Sequence, residues 1–181
     1  PYADIEMVKY INEDTVSFLV ENKFVLFNFK SRKEEIVFQL SGNDYSYCSQ
    51  TNKLYYSESR KIYEFDLGTK VKKYIGDGHN PIISRKGNVM GYMIYDDNLR
   101  RKNFFVKNLN TGEIWKKKYD AYSYVLSPDE NFVLMRKEGR GFGFFVLYLN
   151  NSKETIICDY KNDREFEIMD HGSYDFVLDW I

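Results

Sequence analysis

Ser127-Pro128-Asp129-Glu130-Asn131-Phe132-Val133-Leu134-Met135 runs from a turn signal straight into a short apolar strand. Proline presets φ for the first central position of a type I turn, and the aspartate that follows bonds back to nearby backbone. The apolar run behind it is rich in strand formers. Two other stretches share this grammar: Ser49-Gln50-Thr51-Asn52-Lys53-Leu54-Tyr55-Tyr56 and Ser84-Arg85-Lys86-Gly87-Asn88-Val89-Met90. Behind each lie a polar turn and a further strand.

Worked outward, the pattern fills most of the chain. Residues 5–11, 15–20, 23–29 and 35–40 read as four strands with short connections, the second and third joined by a tight hairpin at Glu21-Asn22. A second set covers 44–48, 53–57, 61–66 and 70–75. A third covers 81–84, 88–94, 102–108 and 113–117, and a fourth 122–126, 132–137, 144–149 and 154–158.

The third strands make the period measurable. Asn28, Asp66, Asn108 and Tyr148 each precede one apolar residue and a polar turn, and they are spaced by 38, 42 and 40 residues. Four strands per unit of about forty residues is the signature of propeller blades. Helical repeats of that length would need apolar residues at i, i+3, i+4 and i+7 over two long segments per unit, and the sequence has none. The fold read from the sequence is therefore all-β: a small β-propeller of about four four-stranded antiparallel blades in a single domain over 1–181.

Residues 165–170 and 174–181 read as a further first and second strand. They complete a short fifth blade or pair with the N-terminal strand, so that the C-terminal strands close the ring and leave no bare edge. A truncated larger propeller is the rival expectation.

At this point the chain resembles the WD40-like and TolB-like β-propellers. Ser127-Pro128-Asp129 and the Asn108-Leu109-Asn110-Thr111-Gly112-Glu113 turn are similar to the "SPDG" and "D-x-x-T-G" turns of those families. The likeness covers about residues 4 to 160. Only one unit has a full Ser-Pro-Asp, and the Trp-Asp ending of a true WD repeat is absent. Gly78-His79 stands before a first strand much as the Gly-His pair does there.

Composition narrows the function classes. The 181 residues carry 26 Lys+Arg against 27 Asp+Glu, a net charge of -1, which argues against a nucleic-acid binder on global charge. Two cysteines, Cys48 and Cys158, are too few for a disulfide scaffold or zinc site and read as buried thiols. No apolar run approaches the ~18 residues of a membrane helix, and no signal peptide is visible. Pro1-Tyr2 is what removal of an initiator Met leaves, as is a cloning boundary, and cytoplasm is the expected location.

Catalytic chemistry is hard to assemble. His79 and His171 are the only histidines, and neither has a nucleophile or carboxylate in a triad pattern beside it. Gly139-Arg140-Gly141-Phe142-Gly143 lacks the strand-loop-helix setting and the Lys-Ser/Thr of a phosphate loop, so it reads as a hairpin with Phe142 at its tip. No metal, cofactor or small-molecule site is read.

Charge is segregated instead. From residue 154 onward, eight acids (Glu154, Asp159, Asp163, Glu165, Glu167, Asp170, Asp175, Asp179) face only Lys161 and Arg164, a net of -6. The other 153 residues stand at +5, much of it in Arg100, Arg101, Lys102, Lys107, Lys116, Lys117 and Lys118. The plainer reading of such charge is the solvated side of edge strands.

The sharper reading is a non-enzymatic protein-binding propeller whose acidic face meets a basic protein partner. Its residues are Asp163, Glu165, Glu167, Asp170, Asp175 and Asp179, with Phe142 as an apolar anchor. Its most concrete form is a stoichiometric inhibitor, by analogy similar to the immunity proteins of bacterial contact-dependent growth-inhibition systems that neutralise nuclease-type toxins. The alternatives are a generic scaffold, a fragment of a larger propeller protein, or a small propeller hydrolase or lyase.

Overall fold

The computed structural model describes residues 5–40, 44–97, 101–117, 121–137, 143–150 and 153–159. They form sixteen strands and no helix. The strands gather into four antiparallel sheets, each four strands in simple chain order, which we call blades.

Blade 1 holds Ile5–Asn12 (β1), Thr15–Val20 (β2), Lys23–Asn28 (β3) and Lys33–Gln39 (β4). Blade 2 holds Tyr45–Cys48 (β5), Lys53–Glu58 (β6), Lys61–Asp66 (β7) and Lys72–Asp77 (β8). Blade 3 holds His79–Ile83 (β9), Val89–Asp96 (β10), Arg101–Asn108 (β11) and Ile114–Lys117 (β12). Blade 4 holds Ala121–Leu126 (β13), Phe132–Lys137 (β14), Gly143–Tyr148 (β15) and Glu154–Asp159 (β16). The all-β reading and the four-by-four count stand. The chain divides into two compact units, Pro1–Asn80 with blades 1 and 2 and Pro81–Ile181 with blades 3 and 4. Residues 160–181, where the closing strands are expected, lie outside the described residues.

The spacing anchors prove structural. Asn28, Asp66, Asn108 and Tyr148 are the last residues of β3, β7, β11 and β15. The Glu21-Asn22 hairpin is a two-residue turn with both residues left-handed (φ 50° and 60°), and Ser59-Arg60 repeats it in blade 2 (φ 52° and 62°). That geometry matches the right-handed strand twist, which is why two residues suffice.

Within each unit the blades pack face to face. In the first, Leu19, Phe24 and Leu40 of blade 1 form one core with Tyr45, Leu54, Tyr56, Phe65 and Leu67 of blade 2. In the second, Val89, Met93, Phe104 and Val106 of blade 3 join Tyr124, Leu126, Val133, Met135, Leu147 and Leu149 of blade 4. One contact recurs in both. Phe24 meets the Tyr45 ring edge-on at 5.1 Å, and Phe104 meets Tyr124 at 4.5 Å. The third position of the second strand beside each pair is small: Ser17 in β2 and Gly91 in β10.

Gly91 is required by that contact, because a Cβ there would stand 2.6 Å from Tyr124 Cε2 and 3.3 Å from Phe104 Cε2. Gly91→Ala is expected to lower stability in urea unfolding by about 1–3 kcal/mol, the usual cost of overpacking. Gly76→Ala, with nothing within 4 Å of the added carbon, should stay within about 0.5 kcal/mol of the parent. Equal stability of the two variants would contradict the packing.

Burial also sets an alkaline limit. Desolvation pushes the Tyr45 hydroxyl from 10.0 up to about 12, and burial raises Tyr47, Tyr55, Tyr56 and Tyr92 in the same direction. The folded chain therefore keeps protons that the unfolded chain releases above pH 10. This contribution is intact below pH 10 and is lost as pH rises through 12. Tyrosinate absorbance should appear together with loss of the β circular-dichroism signal across that window. Full ionisation near pH 10 in a still-folded chain would refute the burial.

Candidate functional site

The turns after first strands and after third strands lie at the same end of each blade, and one hydrogen bond repeats there four times. The residue after the third strand donates its N–H to the carbonyl of the residue before the second: Phe29 to Asp14 (2.8 Å), Leu67 to Asn52 (3.1 Å), Leu109 to Asn88 (2.7 Å) and Leu149 to Asn131 (2.8 Å). Three of the blades then fold a side-chain oxygen into the turn. Asn28 Oδ1 accepts from Ser31 N (2.9 Å), Asp66 Oδ1 from Gly68 N (2.9 Å) and Thr69 N (2.8 Å), and Asn108 Oδ1 from Asn110 N (2.9 Å) and Thr111 N (3.0 Å). The Thr69 N–H leads in holding the Asp66 carboxyl below its ordinary range. These oxygens are committed to backbone.

The Ser-Pro-Asp turn closes as its sequence dictates, with Glu130 N donating to Ser127 O (3.0 Å). Ser127 is buried; its hydroxyl accepts from Phe132 N (3.0 Å) and donates to Asp129 Oδ1 (2.6 Å). That bond, with those from Asn131, keeps the Asp129 carboxyl low. Blade 3 repeats the turn with one change, since Lys86 stands where blade 4 has Asp129. The buried Ser84 hydroxyl thus lacks a carboxylate in its own turn.

Glu130 supplies it from the next blade. Its carboxylate accepts from Ser84 Oγ, from Asn88 N (3.2 Å) and from Asn88 Nδ2 (3.1 Å). Asn88 Oδ1 in turn accepts from Asn110 Nδ2 (3.0 Å). Glu130 does this from a left-handed backbone, φ 68°, at the position equivalent to Gly87 (φ 83°). For a non-glycine residue that conformation costs roughly 1–2 kcal/mol. Glu130 therefore clasps blades 3 and 4, a role the sequence reading missed. The signal available was the pair of exchanged charges, Lys86 for Asp and Glu130 for Gly, in adjacent repeats.

A second carboxylate is tied up in blade 2. Glu64 accepts from Lys53 Nζ (2.8 Å) and from the hydroxyl of buried Tyr55 (3.0 Å). Burial, then the Glu64 charge, drives the Tyr55 hydroxyl up. Cys48 is a buried free thiol, as expected; the side chain of Cys158 is outside the described residues. Among the described residues no three of His, Cys, Asp and Glu gather where a metal could sit. His79 is the first residue of β9, inside the strand it was expected to precede, and is half-buried.

The residues predicted to bind a partner are not brought together by anything described. Phe142, Asp163, Glu165, Glu167, Asp170, Asp175 and Asp179 all lie outside the described residues, as do His171, Arg100 and Lys118. Of the Gly-rich stretch only Gly143 is described, opening β15.

No protein-family model matches this chain, and no curated protein sequence does. Solved structures do. TolB from Acinetobacter baumannii superposes with a TM-score of 0.70 at 12% identity, covering 86% of this chain and 44% of that one. The WD40 domain of Toxoplasma gondii coronin gives 0.60 at 5% identity over 88% of this chain and 46% of that one. The β-propeller domain of the Trilobed protease from Pyrococcus furiosus gives 0.50 at 13% over 91% and 44%. The fold is that of a β-propeller. The chain spans less than half the length of that TolB.

With the repeat in register, one propeller surface departs from its equivalents. The face of blade 1 turned away from blade 2 carries the row Tyr10, Val16, Phe27, Glu34 across its four strands, with Val8, Phe18, Val25 and Ile36 beside it; in its middle Phe18, Val20 and Val25 are buried as a small cluster, and its margin is exposed. The equivalent faces of blades 2 and 4 lie against the preceding blade, burying Leu67, Leu126 and Leu149 to 5–6% exposure. On blade 1 the matching Tyr10 is 72% exposed and Phe29 54%, with Val8 at 61% and Ile36 at 60%.

The Glu130 clasp gives a test of its own. Glu130→Ala keeps the strained backbone and leaves the buried Ser84 hydroxyl without its acceptor, an expected loss of about 1–3 kcal/mol. Glu130→Gly relieves the strain and should cost about 1 kcal/mol less than the alanine variant. Denaturant unfolding that ranks alanine equal to the parent would dismiss the clasp.

Proposed function

We propose that this chain is a protein-binding propeller module without catalysis of its own, and that the exposed margin of the blade 1 face turned away from blade 2 is an interface. The observation that carries it is the exposure of Val8, Tyr10, Phe29 and Ile36 along one face, with Tyr10 and Phe29 at positions whose equivalents Leu126, Leu67 and Leu149 are buried. Covering each such side chain is worth ~1.5–3 kcal/mol, enough for four of them to anchor a partner. Described carboxylates that an enzyme could have used, those of Glu64, Asp66, Asp129 and Glu130, are instead spent as acceptors for neighbouring donors.

The finer reading, a stoichiometric inhibitor of a basic toxin in the cytoplasm, rests on the acidic run alone, net -6 over residues 154–181. A second reading, part of a larger propeller protein, is favoured by the same exposed residues and by the 44% share of TolB that the chain spans.

The test captures partners with the parent and with Tyr10→Asp side by side. A partner recovered at fixed stoichiometry should fall by roughly thirtyfold in affinity with Tyr10→Asp, the effect of losing an aromatic hot spot. A partner held equally by both would move the interface elsewhere. The triple exchange of Glu165, Glu167 and Asp170 to Lys then examines the basic-partner reading. Association with such a partner should slow and lose its salt dependence, and unchanged rates would discard it.

A further inference from the structure

Strand β8 ends blade 2, pairing with β7 and with no other strand among the described residues. Every residue from Gly68 to Tyr74 is exposed, so this edge stands open along its first half. An edge strand leaves a row of backbone N–H and C=O groups unpaired. One bond shows which groups these are: Val71 O accepts from Asp66 N (3.0 Å), so Val71 turns its backbone toward β7. The register is unbroken from Phe65↔Lys72 through Glu64↔Lys73 to Tyr63↔Tyr74. Alternation then turns the backbone groups of Lys72 and Tyr74 outward.

The side chains around that backbone share one sign. Lys70, Lys72 and Lys73 follow Thr69 closely, and no acid occurs before Asp77. Lys72 is held in place: Glu58 accepts from its Nζ (2.9 Å), and the Tyr63 ring centre lies 3.9 Å from it. Lys70 and Lys73 make no ion pair among the described residues. Tyr74 is anchored too, donating its hydroxyl to Asp77 Oδ1 (2.7 Å). Val71 at 58% and Tyr74 at 51% exposure add apolar contact on opposite sides of the strand. The edge of blade 1 differs, since Lys33, Glu34 and Glu35 of β4 mix both signs.

A lysine-bearing edge repels another edge like itself and draws in a strand of opposite charge. Strand addition supplies main-chain hydrogen bonds for affinity and alternate side chains for specificity. We propose that the β8 edge of blade 2 docks an extended acidic segment of a partner protein, added as a strand on the outward groups of Lys72 and Tyr74. Acids of the segment stand opposite Lys70, Lys72 and Lys73, and its apolar residues stand opposite Val71 and Tyr74. This surface is separate from the blade 1 margin, and docking here needs nothing of that interface.

The peptide Glu-Val-Glu-Glu-Val-Glu, acetylated and amidated, has that pattern and reads the same in either strand direction. It is titrated into the full chain while NMR follows exchange of the backbone amides. Bound peptide should slow exchange of the Lys72 and Tyr74 N–H groups by about tenfold or more, because each gains an acceptor. Exchanging Lys70 and Lys73 together for Glu should weaken binding about tenfold. Both side chains are exposed, so the fold is kept, and circular dichroism checks this. Tyr10→Asp should bind the peptide as the parent does, so this proposal and the blade 1 interface fail separately.

A peptide that does not bind, or that binds without slowing those two amides, overturns the proposal. Equal binding of Lys-Val-Lys-Lys-Val-Lys overturns the selection by charge. A single-stranded oligothymidylate that binds as tightly as the acidic peptide overturns it in favour of a nucleic-acid surface.

Discussion

The interaction on which the structure depends is a Phe–Tyr contact between consecutive blades. In each unit a phenylalanine from a third strand meets a tyrosine from the next first strand, at 5.1 Å and 67° for Phe24 and Tyr45 and at 4.5 Å and 59° for Phe104 and Tyr124. Tilted pairs of this sort add about 0.5–1.5 kcal/mol beyond the area they bury. The geometry needs a small neighbour. Ser17 and Gly91 hold that place, and Gly91 has no room for a methyl group. A four-stranded sheet with two apolar faces is not stable by itself, so this inter-blade contact is what turns a local meander into a fold.

The turns make that contact reproducible. A one-residue slip of any strand would send Phe24 or Tyr45 to the wrong side of its sheet. The fourfold bond from the residue after the third strand to the residue before the second pins the register at the same place in every blade. Side-chain oxygens of Asn28, Asp66 and Asn108 then stop the third strand. Glu130 extends the device across two blades, giving the Ser84 turn the acceptor that Lys86 cannot. A strained Glu130 backbone persists because its carboxylate meets three donors at once.

These local rules explain what was legible beforehand. Tyr10, Leu54 and Val133 alternate with polar neighbours or sit in short apolar runs, and the turn residues between them punctuate at fixed offsets. The sixteen strands could therefore be placed with ends off by a residue or two. β2, β7 and β14 match at both ends because Glu21-Asn22, Arg60-Lys61 and Asn131-Phe132 mark abrupt changes from turn to strand chemistry. β9 begins at His79, two residues early, because Pro81 looks like a strand start while Asn80 enters the strand through a left-handed φ of 52°. The Glu130 clasp was not legible. It depends on two residues 46 apart in sequence, whose meeting follows from inter-blade packing and not from any motif. The acidic residues proposed for a partner are a matter of charge counting, and charge carries no information about which strand face it occupies.

A blade inside a propeller is apolar on both faces, because each face meets a neighbour. A sheet designed to end the structure would be polar on its outer side, as β4 and β8 are along their exposed edges. Blade 1 follows the first rule. Leu19, Phe24 and Leu40 turn toward blade 2, while Val16, Phe18, Val25 and Phe27 turn the other way. Its sequence thus places apolar residues on both sides. Selection for a solvated terminal face would have placed Lys, Glu or Thr at positions 8, 10, 29 and 36, where the chain has Val, Tyr, Phe and Ile. The same reasoning separates this surface from the exposed apolar residues elsewhere, Val71, Tyr74, Tyr95 and Ile114. Those stand apart on other blades, as any protein surface allows, whereas the blade 1 residues share one face, and Tyr10 and Phe29 among them stand where the repeat has the buried Leu126, Leu67 and Leu149. The proposed interface rests on that contrast, apolar side chains exposed around a buried centre.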